Sequence, residues 1–135
     1  MKSIFILATL SLSLFFIGQA DPKPDLPALG QTLAKNAITA AQDVIKIAKS
    51  IGGEIADTCV ETSNDAIDNL NECIGYLKKL DKSSIDDLKT KASAALTNVG
   101  TCDDEFGSGE PANLKAANKK AQDFISALLS LAGQL

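Results

Sequence analysis

At 135 residues the chain has room for one domain and little more. Its 13 basic residues are all lysines, set against 17 acidic residues for a net charge of −4, and it has no His and no Trp. That balance argues against nucleic-acid binding, which needs phosphate neutralisation, and the missing His removes the usual near-neutral acid–base group.

Residues 1–20 read as a secretory signal peptide. Lys2 supplies a basic start, an apolar run extends from Ile4 to Gly18, and Gly18-Gln19-Ala20 ends on small residues. The run is too short and wrongly flanked for a spanning helix. Cleavage after Ala20 leaves 115 of the 135 residues, and losing Lys2 takes the balance to 12 basic against 17 acidic, near −5. No membrane association is expected after that cleavage.

Residues 21–25 form a short extended leader, with Asp25 as the cap of the first helix. Helix one carries Leu26, Leu29, Leu33, Ala37, Ala40, Val44, Ile47 and Ile51 on one face and stops at Gly52-Gly53. Helix two runs from about Glu54 to Leu80, with Ala56, Cys59, Ser63, Ala66, Leu70, Cys73, Leu77 and Leu80 at alternating spacings of three and four. Asp81-Lys82-Ser83-Ser84 is a polar turn, and Ser84 with Asp87 suggests a capping box. Helix three follows from about Ser84 to Thr101, on Ile85, Leu88, Ala92, Ala95, Val99 and Cys102. Asp103 to Glu110 reads as an acidic, glycine-containing loop around Phe106. Pro111 then opens helix four, striped by Leu114, Ala117, Ala121, Phe124, Leu128, Leu131 and Leu135.

A spacing that averages 3.5 residues is the seam of helices packed lengthwise. No alternating strand pattern competes, so residues 26–135 are expected to form an all-α, up-down-up-down four-helix bundle. The seams are rich in Ala, which bury little area each, so the core is modest. Three cysteines in an exported chain imply one bridge and one odd thiol. The midpoint of positions 59 and 102 falls between Leu80 and Asp81, where the hairpin turns. Cys59 therefore faces Cys102, and Cys73 faces the region of Leu88 instead. The expected disulfide is Cys59–Cys102, and Cys73 is expected to be a small buried hydrophobe, the alternative being an intermolecular partner.

Catalysis is hard to build from these residues. Tyr76 lies among seam positions, Cys73 lacks a base, and neither a zinc-type ligand set nor a calcium loop is present. No metal or cofactor is expected. The unusual feature is the outer face of helix two, where Asp57, Glu61, Asp65, Asp68 and Glu72 follow at spacings of four, four, three and four. Glu61 lies about 200° from Cys59 around the axis, opposite the seam. Neighbouring like charges cost a few tenths of a kcal/mol per pair, and Asp57 recovers part of this at the helix N-terminus. On charge alone this is a solvated face. Facing a basic partner, it would be an anionic docking surface.

Thr58-Cys59-Val60-Glu61, Asp65-Ala66-Ile67-Asp68-Asn69-Leu70, Ala92-Ser93-Ala94-Ala95-Leu96 and Gly100-Thr101-Cys102-Asp103-Asp104-Glu105-Phe106 resemble the plant invertase and pectin methylesterase inhibitor family. A weaker similarity reaches Asp25 to Gln31. The resemblance implies a secreted, apoplastic four-helix bundle that blocks the cleft of a cell-wall or vacuolar enzyme, and it implies the same disulfide. For the pectin methylesterase branch it implies partner contacts from Glu61, Asp65, Asp68, Thr101 and Asp104. Two features depart from the family pattern. No disulfide-bearing helical hairpin stands between the signal and helix one, and Ser63 occupies a position where Tyr is common. The hairpin turn Asp81 to Ser84 also lacks the Pro-Lys-Phe element of the invertase branch, which favours pectin methylesterase as the target over acid invertase. The rival readings are a helical carrier of small apolar ligands and a structural secreted protein.

Overall fold

The computed structural model describes residues 25–135, so the expected signal peptide and all of the leader except Asp25 lie outside the described residues. Four long helices follow one another: α1 (Leu26–Ile51), α2 (Glu54–Lys78), α3 (Lys82–Phe106) and α4 (Ala112–Ala132), with a single 3-10 turn at Gly107–Gly109. No strand occurs among the described residues. Each helix packs on its sequence neighbours, and α4 closes the bundle by returning onto α1. This is the expected up-down-up-down bundle.

Local chemistry sets the helix ends. Asp25 caps α1 by accepting the Ala28 amide at 3.1 Å, and Pro27 stands in the first turn, where a missing N–H costs nothing. The α1–α2 corner is made by Gly52 (φ 73°) and Gly53 (φ 95°), conformations that side chains with a Cβ resist. Gly53 offers α2 no side-chain cap, and Glu54 and Asp57 in its first turn meet the positive end of the helix dipole instead. At α3 the cap is Asp81 rather than Ser84. Its carboxylate accepts the Ser84 amide at 2.8 Å, while the Ser84 hydroxyl donates back to the Lys79 carbonyl at 3.1 Å. The cap therefore sits three residues earlier than the capping-box reading placed it.

The α2 and α3 seams bury as expected over most of their length: Ala56, Cys59, Ser63, Ala66, Leu70, Cys73 and Leu77 face Leu88, Ala92, Ala95, Val99 and Cys102, while Leu80, beyond the end of α2, and Ile85 are only half-buried at the turn. Cys59 and Cys102 form the disulfide, with their Cα atoms 4.7 Å apart, and Cys73 is free and buried. The Cys73 thiol lies 3.8 Å from the Leu88 carbonyl, the level at which the hairpin arithmetic set it.

Helix α1 departs from its predicted stripe. Its buried line is Gly30, Ala34, Ala37, Ala40, Ala41, Val44 and Ala48, whereas Leu29 is 46% exposed and Ile51 40% exposed. The reason is close approach. A Cβ on Gly30 would lie 2.9 Å from Leu77 Cδ2 and 3.3 Å from Leu131 Cδ2, so leucines of neighbouring helices fill the space that a side chain would need. The larger residues of α1 flank this line. In α4 the seam likewise runs through Asn118 and Ile125, with Phe124 only half-buried beside it.

The core divides in two. The larger cluster holds Leu70, Leu88, Val99, Ile125 and Leu128 among alanines. A smaller one at the disulfide end joins Cys59 and Cys102 to Val44, Ala48, Ala56 and Leu114, with Phe106 packed against it.

Candidate functional site

The disulfide fixes the level of everything on the α2–α3 face. Because the two helices run antiparallel and Cys59 meets Cys102, Thr101 comes level with Val60, one residue from Glu61. Glu61, Asp65 and Asp68 are all exposed on the side of α2 away from its seam. At 1.5 Å per residue they form a row roughly 10 Å long, descending from the level of Thr101. Thr101 is half-buried, and its hydroxyl donates to the Thr97 carbonyl at 2.9 Å, leaving an oxygen free to accept. Asp104 is exposed but lies about 60° further around α3 and beyond the disulfide, level with Asp57. Thr101 is thus level with the start of the row, Asp68 lies at the row's other end, and Asp104 stands beyond the disulfide.

The row has no cation of its own. Among the described residues the ion pairs are Lys91–Glu72 at 3.5 Å and Lys119–Asp123 at 3.0 Å, and neither includes Glu61, Asp65 or Asp68. The α1 and α4 lysines, which could have neutralised it, do not reach it. Glu72 is the member that differs: Lys91 draws it onto the α2–α3 groove, beside an Asn69–Asn98 amide hydrogen bond of 2.9 Å. Ser63, where the resembling family often has Tyr, is fully buried with its hydroxyl unpartnered. It packs in the seam and takes no place on the acidic face.

A polar network escaped the sequence reading. Helix α3 continues through the stretch expected to be a loop and ends at Gly107 (φ 57°), whose N–H bonds to the Asp103 carbonyl. Three acidic residues at a helix C-terminus oppose the dipole, which is why the sequence argued against a helix there. Contacts from α4 override that cost. Asn118 Nδ2 donates to Asp103 Oδ1 at 2.8 Å and to the Val99 carbonyl at 2.9 Å, and Gln122 Nε2 donates to Asp103 Oδ2 at 2.7 Å. Burial works against the Asp103 charge, but hydrogen bonds from Glu110, Asn118 and Gln122, with Lys115 nearby, hold its carboxyl below the usual range. One signal was available in the chain: Asn118 occupies the seam position between Leu114 and Ala121, and a polar residue there requires a buried partner.

A crevice of about 190 Å³ opens between α1 and α4, lined by Asn36, Thr39, Ala40, Asp43, Lys120 and Phe124. Four of its six lining residues are polar or charged, two of them ionised, which suits a purely apolar cargo poorly. Among the described residues no helix is long and apolar enough to cross a membrane, and no group of His, Cys, Asp or Glu could hold a metal ion.

Residues 10–132 match the family described as plant invertase/pectin methylesterase inhibitor. The chain belongs to that family. The family is one of enzyme inhibitors, and the proteins that match this chain include both a stand-alone inhibitor and pectinesterases. A pectinesterase inhibitor of Actinidia deliciosa is 32% identical over 130 residues, covering 87% of this chain and 69% of its own length. Pectinesterase 1 of Citrus sinensis is 38% identical over 73 residues, half of this chain, which spans 12% of that protein. The chain therefore spans most of the stand-alone inhibitor and only a small part of the pectinesterase. In structure, a pectin methylesterase inhibitor from Arabidopsis thaliana superposes with a TM-score of 0.73 at 24% identity, covering 87% of this chain and 81% of that one. That likeness carries the fold.

Proposed function

We propose that this family member is an exported inhibitor whose residues 1–20 are removed, and that it docks into the active cleft of a pectin methylesterase. The contact surface is the outer face of α2 with the last turns of α3: Glu61, Asp65, Asp68, Thr101 and Asp104. The observation that carries this reading is the row of exposed carboxylates beside the disulfide with no cation within 4.0 Å. Unneutralised charge on one face raises the rate and fixes the orientation of association with a basic rim, and excludes partners of like sign. The bridge supports it by fixing the level of Thr101 against the start of the row, so less ordering is needed when the partner arrives. Pectin methylesterase is favoured over acid invertase because the Actinidia deliciosa relative and the Arabidopsis thaliana structure bear pectinesterase- or pectin methylesterase-inhibitor names, and because the α2–α3 turn lacks Pro and Phe.

The test is a titration of the purified protein against a pectin methylesterase and an acid invertase in parallel. The expected result is saturable inhibition of the first alone. Asp65→Lys with Asp68→Lys is expected to weaken inhibition at least tenfold while the helical circular-dichroism signal is retained. Unchanged potency in that variant removes these carboxylates from the contact.

A further inference from the structure

The connection between α3 and α4 is fastened by a pair of carboxyl groups. Asp103 already accepts from Asn118 on one oxygen and from Gln122 on the other. Glu110, between the 3-10 turn and Pro111, folds back and hydrogen-bonds to the same carboxylate. Two carboxylates cannot do this without a proton between them, since both are acceptors only when ionised. Glu110 Oε2 is buried and no N–H or O–H of the protein reaches it. Asp103, with an amide donor on each oxygen, is the better placed of the two to remain ionised. The proton belongs on Glu110.

We propose that this proton is a latch: it closes the Gly107–Glu110 segment onto the bundle in acidic media and releases it as the surroundings become neutral to basic. Burial first, then the hydrogen bond and charge of Asp103, push the Glu110 carboxyl up to about 7 against the weaker pull of Lys115 on α4. Asp103 from α3 and Lys115 from α4 are the charged groups that act on it. In the unfolded chain the same group titrates near 4.5. Between 4.5 and about 7 the folded state holds a proton that the unfolded state has lost. Its contribution to stability is complete below that window, declines as pH rises through it, and is gone above. Asp103 acts with the opposite sign, but below the ordinary carboxylate range, outside this window. The two groups titrate as a coupled pair.

Once the proton leaves, the segment keeps two backbone bonds, from the Gly107 N–H to the Asp103 carbonyl and from the Glu110 N–H to the Gly107 carbonyl at 3.3 Å. Gly107, Ser108 and Gly109 are exposed and bury no side chain in the bundle. The latch is a property of the isolated chain and stands whether or not the docking surface above is used.

The test is a carboxyl-carbon NMR titration of the intact protein, paired with amide hydrogen exchange. The Glu110 signal is expected to titrate with a midpoint near 7. Exchange at 107–110 is expected to rise about tenfold between acidic and mildly basic pH beyond the intrinsic base-catalysed rate. In Glu110→Gln, whose amide donates to Asp103 without titrating, that excess is expected to vanish. A Glu110 midpoint in the ordinary carboxylate range, or the same excess exchange in both proteins, overturns the proposal. The first measurement needs no variant.

Discussion

Replacing both bridged cysteines by alanine (Cys59→Ala with Cys102→Ala) is the sharpest perturbation of this bundle. The bridge joins positions 43 apart in the chain. On the chain-entropy relation, closing a loop of that size removes about 13 cal/mol/K from the unfolded ensemble, or about 4 kcal/mol at 25 °C. Both sulfurs are fully buried in the smaller core cluster, so their loss adds a packing term of the same sign. With unfolding entropy of roughly 2.1 cal/mol/K per residue over roughly 110 residues, 4 kcal/mol corresponds to a fall in Tm of about 17 °C. The loss is local before it is global. Leu70, Leu88, Ile125 and Leu128 belong to the other cluster, so amide protection is expected to drop first around Cys59, Cys102 and Phe106. The assay is urea and thermal denaturation followed by circular dichroism, beside the unmodified protein. A loss below about 1 kcal/mol, or a Tm lowered by less than about 5 °C, would refute the entropic reasoning.

Two further outcomes follow from buried polar and thiol groups. Asn118→Ala strips donors from the Val99 carbonyl and from Asp103 Oδ1 together, and is expected to cost about 2–4 kcal/mol in urea denaturation. Since Asn118 Oδ1 has no partner of its own, its removal adds nothing, and a cost under about 0.5 kcal/mol would show the network to be dispensable. Burial, with the nearby charge of Glu72, pushes the Cys73 thiol up to about 12. It is expected to resist a disulfide-exchange reagent in the native protein at mildly basic pH and to react stoichiometrically on unfolding. Rapid native labelling would show that the seam opens there.

The α2–α3 hairpin was the most legible part of the chain. Its seams repeat strictly, its turn is polar, and equal distances from that turn assign the disulfide without any tertiary information. The acidic row was legible for the same reason, because carboxylates spaced three and four apart must share a face. Helix α1 departs from its sequence stripe because side-chain size competes with position: Leu29 and Ile51 are larger and more apolar than Gly30 and Ala34, yet close helix approach rewards the small ones. The end of α3 was misread because three acidic residues argue locally against a helix C-terminus. The donors that reverse the argument, Asn118 and Gln122, lie 15 and 19 positions away from Asp103. The proton shared by Glu110 depends on that same distant pairing.

The line of glycine and alanine along α1 has a thermal consequence. Heat capacity on unfolding grows with the apolar area newly hydrated, and methyl-sized side chains release less of it than leucines would. A bundle closed by such narrow contacts is therefore expected to show a shallower dependence of stability on temperature than one whose first helix buried leucines along that line.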